Sequence, residues 1–174
     1  SYLEMLHGIF GNGDGFMVNE YTLQIDFMIP EADAWHCFMQ TDPNNTGDGD
    51  LFTNASNKIG TQATSYTSNA VEANKWYRMV VVVKNGSYFK IFMDGELWLG
   101  SAGQPVDGRY ALAESLLMFA DDDGEDATIY CSELSIWDVP LTDTQVAQLG
   151  DVNTIPTAIA DISTNNSDLG QNYP

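Results

Sequence analysis

Two short stretches of the chain concentrate oxygen donors. The first reads Asp42-Pro-Asn44-Asn45-Thr46-Gly47-Asp48-Gly49-Asp50 and the second Asp121-Asp122-Asp123-Gly124-Glu125-Asp126. Together they carry eight of the 25 acidic residues. Calcium takes about six to eight hard oxygens from a flexible loop. The first stretch has the alternating rhythm of such a loop, with Asp50 at its ninth place. Thr53 stands at the twelfth, where an EF-hand needs a bidentate Glu, so this is not an EF-hand. It is either a cation-ligating hairpin or a polar turn built from turn-forming residues. In the second stretch five carboxylates in six residues repel one another unless something neutralises them. It is either a metal loop or a solvated acidic turn.

Other chemistries have less support. Glu133 and Asp138 are five residues apart, which puts them on opposite faces of a strand rather than facing one glycosidic bond. His7 and His36 are the only histidines, and His36 alternates with Trp35 and Cys37 in a strand-like run. Gly8, Gly11, Gly13 and Gly15 lie near Asp14 and Glu20 with no lysine, so they do not form a phosphate loop. Cys37 and Cys131 are too few for a zinc site and lack an adjacent base. They read as either one disulfide or two buried thiols. Trp35, Tyr66, Tyr88 and Trp98 could offer faces for sugar stacking, whereas Trp76 and Trp137 sit in strongly periodic runs and read as core. Arg109 is the lone base in its region. It reads as a partner for a carboxylate near the acidic loops or as a plain surface ion pair.

Charge narrows the partners further. The net charge is −19, and no Lys or Arg precedes Lys58 or follows Arg109. Such a surface repels phosphate backbones and anionic lipid, so nucleic acid is excluded and cations are the natural partners. The longest apolar run, 79–83, is far too short to enter a membrane as a spanning helix. No signal peptide is visible at Ser1, and the chain opens in strand-like sequence, as an excised piece would.

The elements that must position these residues are almost all strands. Tyr21, Leu23, Ile25, Phe27 and Ile29 alternate with polar residues, the mark of a strand with one buried face, and Pro30 ends it. Further strands are expected at 35–40, 50–54, 58–60, 76–83, 88–93, 96–99, 116–120 and 128–137. Residues 79–83 are apolar on both faces, which suggests a strand covered on both sides. Asn85-Gly86 and Asp94-Gly95 are tight-hairpin dipeptides. One short helix is expected after Pro140, with Thr142 and Gln145 at capping-box spacing and Gly150 at its end. Strands with turns every 8–12 residues or so predict an all-β fold, a two-sheet antiparallel β-sandwich over 1–150. Residues 151–174 read as a linker.

Three runs carry a resemblance: Trp76-Tyr-Arg-Met-Val-Val-Val-Val83, Tyr88-Phe-Lys-Ile-Phe-Met-Asp-Gly95 and Ser132-Glu-Leu-Ser-Ile-Trp-Asp-Val-Pro-Leu141. They resemble laminin-G-like domains of the concanavalin A-like superfamily. Val18-Asn-Glu-Tyr-Thr-Leu23, Gln40-Thr41 before the acidic loop, Asp107-Gly-Arg109 and Phe119-Ala-Asp-Asp-Asp-Gly-Glu125 resemble a bacterial subgroup. The resemblance spans about residues 2–150. It implies a jelly roll that binds calcium and recognises a carbohydrate or a surface protein without catalysis. Calcium ligands are then expected among Asp42, Asp48, Asp50, Asp121, Asp122 and Asp123, with Asp121 and Asp123 foremost in the second loop. The alternatives are an accessory domain of a larger secreted enzyme or cargo protein, or a glucanase-type glycoside hydrolase lacking the usual carboxylate pair. The ending Leu169-Gly-Gln-Asn-Tyr-Pro174 resembles the opening of a sorting domain in type IX secretion cargo of Bacteroidetes. It implies a secreted or cell-surface protein with the secretion machinery as a partner.

Overall fold

In a computed structural model, the chain is described over residues 3–44, 49–121 and 127–152. Eleven strands and one helix follow in order: β1 (Leu3–Leu6), β2 (Glu20–Met28), β3 (His36–Gln40), β4 (Asp50–Thr53), β5 (Ile59–Thr61), β6 (Ser65–Tyr66), β7 (Tyr77–Lys84), β8 (Tyr88–Met93), β9 (Glu96–Ala102), β10 (Ser115–Met118), β11 (Tyr130–Trp137) and α1 (Asp143–Leu149). They form two antiparallel sheets, a six-stranded one ordered β1-β10-β3-β4-β5-β6 and a five-stranded one ordered β11-β2-β7-β8-β9. This is the expected two-layer sandwich. Among the described residues no helix is long and apolar enough to cross a membrane.

The period-two pattern explains the main core. Tyr21, Leu23, Ile25 and Phe27 of β2 meet Met79, Val81 and Val83 of β7 and Phe38, Met39 and Leu51 from the facing sheet, all essentially inaccessible to solvent. Phe27 lies edge-on to Phe38 with ring centroids 4.6 Å apart, an arrangement the ring quadrupole favours. The other face of β7 carries Val80 and Val82, which pack with Phe92 under Leu141, Val146 and Leu149 of the α1 region. The two-faced apolar run therefore has the cover it requires. Asp94 and Gly95 both take positive φ, 51° and 82°, and close the β8–β9 hairpin as the dipeptide implies.

Helix α1 is too short to be stable alone and is docked on this second cluster. Thr142 Oγ1 accepts from Gln145 N, and Thr142 N donates to Gln145 Oε1, so the predicted capping box is formed. Gly150 at φ 65° donates its N–H to Ala147 O and ends the helix.

Four readings are corrected. The polar face of β2 is buried rather than solvated, because α1 and its entry segment cover it. Thr22 Oγ1 donates to Val139 O and accepts from Leu141 N, both at 2.9 Å. On the same face Asp26 takes a bidentate pair from Arg78, at 2.8 Å from Nε and 2.7 Å from Nη2. Nη1 of the same guanidinium donates to Leu149 O at 2.7 Å and so pins the end of α1 to the sheet. Cys37 and Cys131 are not bonded to each other. They belong to different sheets, and Cys37 is buried whereas Cys131 is exposed, so the two side chains do not meet and only one of the thiols is buried. Cys37 Sγ instead donates to Ala120 O at 3.1 Å, and Cys131 Sγ to Glu133 O at 3.3 Å. Trp76 is 38% exposed, since it precedes β7 instead of lying within it. Finally, β6 was not expected, and β1 was announced only by the strand-like opening of the chain. They are short edge strands whose partners, β10 and β5, lie far away or across a turn.

Candidate functional site

The first acidic stretch leaves β3 and returns in β4. Gln40 and Asp50 stand directly opposite each other in that pairing. The loop neck is closed one residue further on. Thr41 N donates to Gly49 O at 3.0 Å, and Gly49 N donates to Thr41 Oγ1 at 2.7 Å. Gly49 is required there because a Cβ would lie 2.6 Å from the Tyr110 ring. Tyr110 is itself fixed: its hydroxyl donates to Asp50 O at 2.6 Å and is 2.9 Å from Thr61 Oγ1. Burial pushes this phenol's pKa well above its usual value. Asp42 Oδ1 accepts from Asn44 N at 2.8 Å and from Asn44 Nδ2 at 3.1 Å.

Gln40 is fully buried, and its Nε2 donates to Asp42 O at 3.2 Å. That contact fixes which way the amide points and leaves Oε1 buried with no hydrogen-bond partner. An orphaned buried carbonyl oxygen is costly. Asp50 stands opposite Gln40 in the β3–β4 pair and Asp42 two residues beyond it, and all three side chains carry oxygen donors of the kind a hard cation takes.

The described residues that flank the second acidic stretch, 119–121 and 127, lie at the other end of β3. Phe119 takes φ 63° and its N–H donates to Phe38 O at 3.1 Å. Ala120 is held at Cys37, and Ala127 N donates to Trp35 O at 3.1 Å. Asp121 is therefore level with the start of β3, and Asp42 lies beyond its end. At about 3.3 Å per residue the two are about 20 Å apart. Carboxylates sharing one calcium ion approach within about 5 Å of each other. Asp50, opposite Gln40, and Asp42, two residues past Gln40, lie at the end of β3 away from Asp121. Asp48, Asp122 and Asp123 lie outside the described residues. Among the described residues no three of His, Cys, Asp or Glu gather as a metal-binding group.

Beside the neck is an open cleft of about 480 Å³ lined by Trp35, Phe52 and Tyr66 together with Asp50, Gln62 and Arg109. Trp35 stands edge-on to Phe52 at 6.1 Å between ring centroids. Of the four aromatic residues considered for stacking, Trp35 and Tyr66 share this cleft. Tyr88 instead packs beside the cluster under α1, and Trp98 packs on the main core, edge-on to Tyr77 at 6.2 Å. Arg109 is one wall of the cleft that Asp50 also lines.

Asp107, of the same short motif, has a different task. Its carboxylate accepts from Phe16 N, Met17 N and Asn19 Nδ2 at 2.8–2.9 Å, and these bonds, Phe16 N foremost, lower its pKa. It staples the 12–19 loop to the segment that carries Arg109 and Tyr110. Glu133 lies 3.4 Å from Arg78 Nη2 on the five-stranded sheet, away from the cleft. Cys131 is exposed, yet partial desolvation raises its thiol pKa, which opposes thiolate chemistry. Three residues of these sites, Phe52, Gln62 and Gln40, escaped the sequence reading as site residues. Phe52 looked like one more strand residue. Gln40 carried a signal in hindsight, being an amide at the end of an otherwise apolar strand beside an acidic loop.

A family model described as the concanavalin A-like lectin/glucanases superfamily matches residues 14–147. No curated protein matches the chain in sequence. Among solved structures, a candidate carbohydrate binding protein from Bacteroides ovatus is similar over 77% of this chain and 41% of its own, with 17% identity and a TM-score of 0.61. A sialidase from Trypanosoma rangeli is similar over 76% of this chain and 22% of its own, with 15% identity and a TM-score of 0.61. A heptameric SAP-like pentraxin from Limulus polyphemus is similar over 90% of this chain and 78% of its own, with 13% identity and a TM-score of 0.60. These identities speak for the fold alone. The chain spans less than half the length of the first two.

Proposed function

Since the chain belongs to the concanavalin A-like lectin/glucanase superfamily, we propose that it is a non-catalytic, calcium-binding recognition module that holds a carbohydrate in the Trp35–Tyr66 cleft. One observation carries this reading: aromatic walls from Trp35, Phe52 and Tyr66 surround a carboxylate and a guanidinium in a single open cleft. Aromatic faces take the C–H faces of a pyranose, and Asp50, Gln62 and Arg109 supply the few directed polar contacts that fix its orientation. The likeness to a candidate carbohydrate binding protein agrees with it. Binding is favoured over hydrolysis because Asp50 is the one carboxylate among the described lining residues, and glycoside hydrolysis uses a pair.

Calcium is part of the same proposal. Asp42 and Asp50 would hold it at the loop neck, with Asp48 between them in sequence, and the ion would neutralise carboxylates in a chain of net charge −19. The secreted or cell-surface setting, and export through a type IX sorting tail, rest on the resemblance of residues 169–174, which lie outside the described residues. A second reading is an accessory domain within a larger secreted protein. It draws on the 22% of the sialidase chain that this domain matches.

The test is a glycan array probed in calcium and in chelator, followed by titration of the best hit into Trp35→Ala. We expect calcium-dependent binding that Trp35→Ala weakens about fivefold or more, since stacking on one aromatic ring is worth about 1 kcal/mol or more. An array without hits, alongside a calcium-dependent rise in melting temperature, would favour the accessory role.

A further inference from the structure

We infer that Gln40 supplies a neutral oxygen ligand to a hard divalent cation at the β3–β4 end, an inference that rests on the calcium reading above. The amide is wholly buried and cannot turn freely, because Nε2 is committed to Asp42 O. Its Oε1 therefore stays in place with no donor to meet it. Folded proteins pair nearly all their buried polar atoms, and an exception such as this calls for a partner, a water or an ion. The neighbours indicate the kind of partner. Asp50 is directly opposite across the β3–β4 pair, and Asp42 is two residues further along the chain. Two carboxylates and an amide carbonyl form an all-oxygen set with a charge of −2, which suits calcium and disfavours soft, thiolate-seeking metals. Thr41 and Gly49 hold the neck closed independently of any ion, so the donors are prearranged. Asp121, about 20 Å away along β3, belongs to a separate locus. Because Asp50 also lines the aromatic cleft, an ion held here fixes a carboxylate on the wall of the carbohydrate site.

The experiment is isothermal titration of the chelator-stripped full chain with calcium chloride at about 0.15 M potassium chloride, which screens loose counterion binding. Gln40→Leu removes the oxygen and keeps the bulk. We expect it to weaken calcium binding about tenfold or more, since even outer-shell changes at metal sites cost about 10–100-fold. Should Gln40→Leu fail to fold, Gln40→Glu decides. It keeps an oxygen in place and adds charge, so calcium should bind at least as tightly as to the wild type. Asp121→Asn should leave the Gln40-dependent step unchanged within about twofold. If the wild type takes up no calcium, the calcium reading itself fails and this assignment fails with it. Calcium binding to the wild type and to Gln40→Leu with equal affinity, or tenfold weaker binding to Gln40→Glu, overturns the assignment of Gln40 and leaves the calcium reading standing. A tenfold loss in Asp121→Asn overturns the separation of the two acidic loops.

Discussion

The buried Asp26–Arg78 pair offers the sharpest test of how this sandwich is held together. Their side chains are only 4% and 3% exposed, and they are direct cross-strand neighbours on β2 and β7. Replacing Asp26 with Ala leaves a buried guanidinium, which cannot give up its proton, with only the half-exposed Glu133 carboxylate at 3.4 Å. Breaking a buried pair from one side costs about 3–5 kcal/mol. For a domain of this size each kcal/mol moves the melting temperature by about 2–4 °C, so Asp26→Ala should melt about 6–20 °C lower. The double variant Asp26→Leu/Arg78→Met should recover most of this, because an apolar pair of similar volume is often neutral. It leaves Leu149 O without its donor, a residual cost of about 1 kcal/mol or more that should appear as fraying of α1. Urea midpoints for the wild type, both single variants and the double variant, at a constant slope, give the coupling energy directly. A single variant within about 1 kcal/mol of the wild type would refute the reasoning, as would a double variant showing the plain sum of the two losses.

Further outcomes are expected at and near the site. Tyr110→Phe deletes the hydroxyl that holds Asp50 O and Thr61, and should lower stability by about 1–3 kcal/mol in thermal melts. Gly49→Ala drives a methyl group into the Tyr110 ring and should cost a similar amount, about 1–3 kcal/mol by urea titration. Asp107 has a folded pKa below its unfolded value, so its contribution is fully present above about pH 4 and is lost as the pH falls through the folded pKa. Asp107→Asn should therefore flatten the acid limb of a melting-temperature profile taken from pH 7 to pH 3. Thiol titration in denaturant without reductant should find both Cys37 and Cys131 reactive, whereas no reactive thiol would contradict the fold.

Local sequence by itself determined the strands of the core, the Asp94-Gly95 hairpin and the capped helix, because period-two alternation, positive-φ dipeptides and capping spacing act within a few residues. It also marked the acidic loops and drew attention to Trp35, Tyr66 and Arg109. The tertiary structure decided which of these meet. Strand order sends the described flanks of the two acidic loops to opposite ends of β3, and it sets Asp50 beside Trp35, Phe52 and Tyr66. The same order places Cys37 and Cys131 in different layers and turns the polar face of β2 into the seat of a buried ion pair. Pairing between strands distant in sequence depends on loop closure and on the joint burial of two sheets, neither of which leaves a short-range pattern. The edge strands β1 and β6 show the same limit, being too short to carry a period of their own and existing through their partners alone.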